Sequence, residues 1–165
     1  MGARPVLVYP NPLLKQRCAP LSDRDVLARI AADLVDTMRS HPRCVGLAAP
    51  QIGELVRLIA VDVTGHPKAE SCHGLLVLAD PVVVRADGGE LGREGCLSIP
   101  ELTANVRRAS AVAIEAVSPE GDPVAIEANA FEARVLQHEL DHLDGILFLD
   151  RIASKQDLFQ RRHHA

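Results

Sequence analysis

The alternation of apolar and polar positions divides the chain into an extended arm, a helix, a run of strands and a second helix. Residues 4–21 carry Pro5, Pro10, Pro12 and Pro20, which favour extended backbone. Ser22, with Asp25 three positions on, resembles a capping box with Asp in place of Glu. Val26, Leu27, Ile30, Leu34, Val35 and Met38 then recur at helical spacing, and this helix should stop near Ser40, ahead of Pro42. The period changes in the middle of the chain. Residues 56–63 and 75–84 are rich in β-branched and aliphatic side chains, and Pro81 pushes the second run toward an edge or a bulge. Residues 110–117 alternate cleanly, and 123–128 read as their hairpin partner across Ser118-Pro119-Glu120-Gly121-Asp122. Asn129 with Glu132 should cap a second helix that runs to about Leu143 and ends at Gly145, and Ser154 is placed to cap a short tail helix. Strands first and a late helix predict an α+β fold of mostly antiparallel sheets packed around a central helix, the one that carries His138-Glu139-Leu140-Asp141-His142, not alternating βαβ units.

Length and composition narrow this further. The chain of 165 residues and 17.8 kDa suffices for one domain, with a short C-terminal tail from about residue 151. Its only aromatics are Tyr9, Phe131, Phe148 and Phe159, so the core must be aliphatic and no base-stacking platform is available. A net charge of -4 argues against direct nucleic-acid binding, and the pairs Arg107-Arg108 and Arg161-Arg162 read as solvated surface. Neither a membrane span nor an apolar leader is apparent, so the chain is expected to be soluble and cytoplasmic, with no membrane partner. Cys18, Cys44, Cys72 and Cys96 form no C-x-x-C pair; Cys18 and Cys72 read as small buried hydrophobes.

The candidate chemistry centres on His138-Glu139-Leu140-Asp141-His142. Residues four apart on a helix differ by ~40° in direction and ~6 Å along the axis, so both imidazoles can reach one metal ion while Glu139 stands beside it as a base. Phe131, Val135, His138 and His142 share one face, which draws the imidazoles toward the core, where they need a partner. Two zinc-protease arrangements of the third ligand fail: the first would need His where Phe148 stands, and no Glu follows Glu139 for the second. Asp144, Asp150 and Asp157 remain without special placement. Upstream, Cys96 in Glu94-Gly95-Cys96-Leu97-Ser98 is the best candidate, and a thiolate with two imidazoles favours Fe(II), Zn, Co or Ni over Mg or Ca. Cys72-His73 is a weaker rival pair. A third segment, Gly46-Leu47-Ala48-Ala49-Pro50-Gln51-Ile52-Gly53, permits close backbone approach and carries one polar amide, Gln51, able to stabilise an oxyanion.

In this order the three segments resemble the marks of the peptide deformylase family, the second and third being complete here as Glu94 to Ser98 and His138 to His142. Val8-Tyr9-Pro10-Asn11-Pro12-Leu13-Leu14 is similar to the family's opening strand and turn, and the likeness spans residues 6 to 151. The resemblance implies that Cys96, His138 and His142 hold one divalent metal, natively Fe(II), with Zn(II), Ni(II) or Co(II) able to substitute. It makes Glu139 the general acid/base and the Gln51 amide and Leu97 N–H the oxyanion donors. The backbone of Val45 and Gly46 would align the substrate, with Val45 and Val135 lining a pocket for the methionine side chain and Leu136 turned into the core. The implied reaction is removal of formate from the N-formylmethionine of nascent chains, with transient association with the ribosome. Cys44 departs from the family's Gly at the start of the first motif, and Thr103 stands where many relatives carry Arg or an aromatic that covers the peptide. These departures leave a metal amidase for another small N-acyl substrate as an alternative, beside a non-catalytic metal- or peptide-binding relative. The terminal His163-His164-Ala165 can take up stray metal without functional meaning.

Overall fold

The structure, a computed structural model, describes residues 2–161; Arg162 and the His163-His164-Ala165 end lie outside the described residues. In chain order α1 is Arg24–Ser40, β1 Gly46–Ala48, β2 Leu58–Val61, β3 Leu76–Asp87, β4 Glu90–Cys96 and β5 Ile99–Arg108. They are followed by β6 Ala111–Val117, β7 Pro123–Asn129, α2 Ala130–Leu143 and β8 Leu158–Gln160. The predicted α+β class holds: a five-stranded sheet of order β1-β2-β3-β6-β7 and a three-stranded sheet of order β4-β5-β8, each neighbouring pair antiparallel.

Strand β2 is buried at all four positions because both faces of its sheet are covered. Leu58 and Ala60 pack with Leu27, Ile30, Leu34 and Met38 of α1, whereas Ile59 and Val61 face Ala133, Val135 and Leu136 of α2. A third cluster, built from Leu14, Cys96, Ile99, Ala104, Val106, Leu147 and Phe148, lies under the smaller sheet. The site helix α2 therefore sits against β1 and β2 on one side and reaches the smaller sheet with its histidine face.

Several elements differ from the periodicity reading. Asp23, not Ser22, caps α1, its carboxylate accepting from the amides of Asp25 and Val26. The β3 ladder shifts register between Ala79 and Val82, where Pro81 cannot donate. Strands β4 and β5 have no counterpart in the sequence pattern, since Gly92, Gly95, Arg93 and Glu94 interrupt the first and Pro100, Glu101, Asn105 and Arg107 the second. Asn129 stands at the N-cap of α2 without capping by its side chain; its Oδ1 accepts from Ser71 N instead. Glu132 does not close a capping box either. Its fully buried carboxylate accepts from Ser71 Oγ and from the amide and Nδ1 of His73, fastening the loop after β2 to the helix. Cys72, expected to be buried, is exposed beside Thr64 in that loop, because Glu132 engages its two neighbours. Ser154 caps only a short turn at Lys155–Asp157, and the chain then adds β8 to the edge of β5.

Candidate metal and catalytic centre

Each side chain of the candidate centre is delivered by a different part of this frame. The helical period of α2 places His138 and His142 on one buried face, their rings 5.1 Å apart, while Cys96 ends β4 at the hairpin into β5. One ligand atom from each of Cys96, His138 and His142 lies within 4.8 Å of the other two. The sulfur is 3.4 Å from His142 Nε2, and His142 Nδ1 has no hydrogen-bond partner. A buried thiol and two imidazoles converging in this way, one with an unsatisfied nitrogen, fit a transition-metal ion in both donor type and number. The rival Cys72-His73 pair is not brought to them; His73 is held by Glu132.

Glu94 orients this cluster, a role the sequence reading did not assign. It shares the inward face of β4 with Cys96 and accepts from His138 Nδ1 at 2.9 Å, leaving the other ring nitrogen for a ligand role. The same carboxylate receives a bidentate pair from Arg108 Nε and Nη2 at 2.9 and 3.0 Å, and a bond from Arg134 at 2.8 Å. Burial opposes its charge, but the hydrogen bonds from His138 and Arg108 prevail and hold the carboxyl down at about 2. Arg108 is consequently not the solvated residue that the Arg107-Arg108 pair suggests: it is buried, and its third nitrogen reaches Asp141 at 2.6 Å. A local pair of arginines gives no hint of this, because the carboxylates come from β4 and α2. The signal available in sequence was Glu94 itself, a charge in phase with Cys96 on one strand face.

Glu139 is also buried, and its Oε1 is unpartnered. Burial pushes its carboxyl up to about 7, which places both protonation states within reach near neutrality. Burial likewise holds His142 well below its ordinary value and therefore neutral, whereas His138 is held well above it, burial being outweighed by Cys96 and Glu94. Gln51 is fixed at both ends of its amide. Its Oε1 accepts from Ala48 N at 2.9 Å, and its Nε2 donates to Ser98 Oγ at 3.0 Å and faces Cys96 Sγ at 3.5 Å. Ser98 is a second residue the sequence reading passed over. The N-terminal arm straps these two segments together, Leu7 N donating to Gln51 O and Tyr9 N to Ser98 O, both at 2.8 Å.

A cleft of about 550 Å³ opens over the centre, lined by Val45, Gly46, Gln51, Cys96, Leu97, Val135, His138 and Glu139 among others. Val45 is half-buried, Val135 is buried at the cleft wall, and Leu136 is turned fully into the core. β1 is an edge strand, so its free side borders the cleft. Cys44 also lines it, with its Sγ donating to Gly46 O at 3.3 Å and its thiol pushed up to about 12, mainly by burial. The left-handed backbone at this bend falls on Arg43, with φ of 70°, so Cys44 itself carries none of the strain expected from replacing a glycine.

The polypeptide deformylase family profile matches residues 3–157. The peptide deformylase of Rhizobium meliloti (strain 1021) is 41% identical over 165 residues, covering 98% of this chain and 92% of its own. Among solved structures, peptide deformylase from Thermus thermophilus superposes with a TM-score of 0.82 at 38% identity, over 91% of this chain and 86% of that one. A class I type b peptide deformylase from Acinetobacter baumannii, solved with Met-Ala-Ser bound, gives a TM-score of 0.84 at 33% identity, over 92% of this chain and all of that one. Similar in sequence and in fold along nearly its whole length, this chain belongs to the polypeptide deformylase family.

Proposed function

We propose that the chain hydrolyses the formyl group from the N-terminal formylmethionine of nascent polypeptides and releases formate, residues 1–165 acting as one catalytic domain in the cytoplasm. The observation that carries this reading is the unpartnered Oε1 of buried Glu139 standing beside three converging donors, Cys96, His138 and His142, in one cleft. Those donors would hold a divalent transition metal, Fe(II) natively with Zn(II), Ni(II) or Co(II) as substitutes, which when bound polarises a carbonyl and lowers the pKa of water.

The remaining steps belong to the chain's own groups. Glu139, with its carboxyl near 7, takes the proton from the attacking water and returns it to the departing amine. Gln51, its Oε1 anchored to Ala48 N, keeps Nε2 aimed at the centre and with the Leu97 N–H supplies donors for the developing oxyanion. The open edge at Val45 and Gly46 pairs with an extended peptide, and Val45 and Val135 give the methionine side chain an apolar wall. A formyl carbon bears no side chain, which suits a centre walled closely by α2 and the hairpin at Cys96. Transient contact with the ribosome follows from the nascent substrate.

Formate release from formyl-Met-Ala-Ser, by protein prepared anaerobically and loaded with Fe(II) or Ni(II), tests the reading. Turnover should be present and should fall by roughly 10²–10⁴ in Glu139→Ala. Protein that holds one metal per chain yet releases no formate would overturn the assignment and favour another small N-acyl amide. Metal retention with no loss in Glu139→Ala would favour a non-catalytic relative.

A further inference from the structure

The mouth of the cleft carries cations that formyl hydrolysis does not use. Arg43, Lys68, Arg93 and Arg161 all line it. The carboxylates there are committed: Glu94 is saturated by Arg108, Arg134 and His138, and Glu139 is buried at the centre. Neither of these two carboxylates pairs with Arg43, Lys68 or Arg161. A concentrated positive rim on a chain of net charge -4 is a local feature, not a consequence of overall composition.

This rim is built by ordered elements. β8 pairs with β5 in the register Leu102↔Gln160, Thr103↔Phe159 and Ala104↔Leu158, and Arg161 N continues the ladder by donating to Glu101 O at 2.8 Å. The ladder brings the Arg161 guanidinium against Gly95, where a β-carbon would collide with it, and the small side chain of Thr103 borders the same space. β8 also seats a second cation, since the Arg93 guanidinium lies 3.7 Å over the Phe159 ring and donates to Thr103 and Asn105. Lys68, also in the lining, sits in the loop that Glu132 fastens to α2, two residues after His66, whose ring stacks on Phe131 at 3.9 Å.

We propose that this rim selects formylated peptides with Asp or Glu at the second or third residue, and that Arg161, supplied by the C-terminal strand, is the main specificity-determining residue. The inference rests on the deformylase reading. An extended peptide rises ~3.3 Å per residue, so a chain leaving the centre along β1 carries those positions out past the cations that line the cleft. A cleft lined by one sign of charge concentrates ligands of the opposite sign.

The experiment compares kcat/KM for formyl-Met-Ala-Glu-amide, formyl-Met-Ala-Gln-amide and formyl-Met-Ala-Lys-amide, each amidated to remove the terminal carboxylate. The expected order is Glu over Gln over Lys, with roughly tenfold between the extremes at low ionic strength, narrowing at about 0.5 M salt. Arg161→Gln should level most of this ranking, the loss falling on KM for the Glu peptide rather than on kcat, and Arg161→Lys should restore most of it. Turnover of all three peptides at equal kcat/KM, or a ranking unchanged in Arg161→Gln, overturns the inference and leaves the deformylase reading standing. Absence of turnover with every peptide overturns both.

Discussion

Position 46 has room for a hydrogen atom and little else. A β-carbon there would lie 2.7 Å from Glu139 Oε2 and 2.8 Å from Val135 Cγ1, so the missing side chain is what lets β1 run alongside α2. Gly46→Ala should therefore displace Glu139 or the strand. The expected result is a loss of about 1–3 kcal/mol in urea unfolding, with formate release lowered by roughly 10². At this scale the sequence was legible wherever chemistry follows a local period. His138, Glu139 and His142 are placed by helix geometry alone, and Cys96 stands out beside Gly95. Arg108 and Cys72 were not legible: they have the composition of their neighbours, and their burial or exposure depends on residues remote in sequence, Glu94 with Asp141 for the first and Glu132 for the loop of the second.

The N-terminal arm, lacking sheet partners along most of its length, is held to α1 by side chains. Asp33 accepts from Gly2 N at 2.9 Å and from Arg4 Nε at 2.8 Å, and Thr37 Oγ1 accepts from Arg4 N at 2.9 Å. The Gly2 amide is the largest influence and holds the Asp33 carboxyl below its ordinary value, with Arg4 adding to it against the cost of burial. A carboxyl depressed in the folded state contributes stability that is complete above its unfolded value, about 3.9, and is lost as pH falls through that value toward the native one. Amide exchange in the arm should accordingly speed up, relative to the core, below about pH 4. Asp33→Asn should show fast exchange already at pH 6 and little further change on acidification; an arm equally protected in both proteins would remove this latch from the account. Because the arm also bonds Gln51 and Ser98, its release bears on the centre. Among the elements, α1 and the β6–β7 hairpin were readable from period and turn residues. β4 and β5 were not, since glycine, proline and charged residues break their alternation and the two become strands by pairing with each other.

Across the whole molecule, the candidate metal centre joins two layers. His138 and His142 belong to the helix packed on the five-stranded sheet, whereas Cys96 belongs to the three-stranded one. An ion shared by these side chains binds the folded chain and has no preformed site in the unfolded one, so it stabilises by mass action. Ni(II) or Zn(II) at 100 times its dissociation constant should raise the unfolding free energy by about 2.7 kcal/mol over chelator-treated protein, seen as a higher Tm by calorimetry. His142→Ala should abolish that rise, and equal Tm values with and without metal in the unaltered protein would argue against a stoichiometric site. Among the described residues no helix is long and apolar enough to cross a membrane.

The sequence by itself determined the α+β class, both helices and the histidine pair on one helical face, because periods of 2 and 3.6 residues act within a single element. Ordered motifs extended that reading to the family. Tertiary structure decided what surrounds those residues. Glu94 meets His138 across 44 positions, Cys96 meets His142 across 46, and Gln51 meets Ser98 across 47, while the C-terminal strand brings Arg161 back to the rim of the same cleft. Contacts of that separation are set by which strands pair and which faces pack, and side-chain identity along one segment does not encode them.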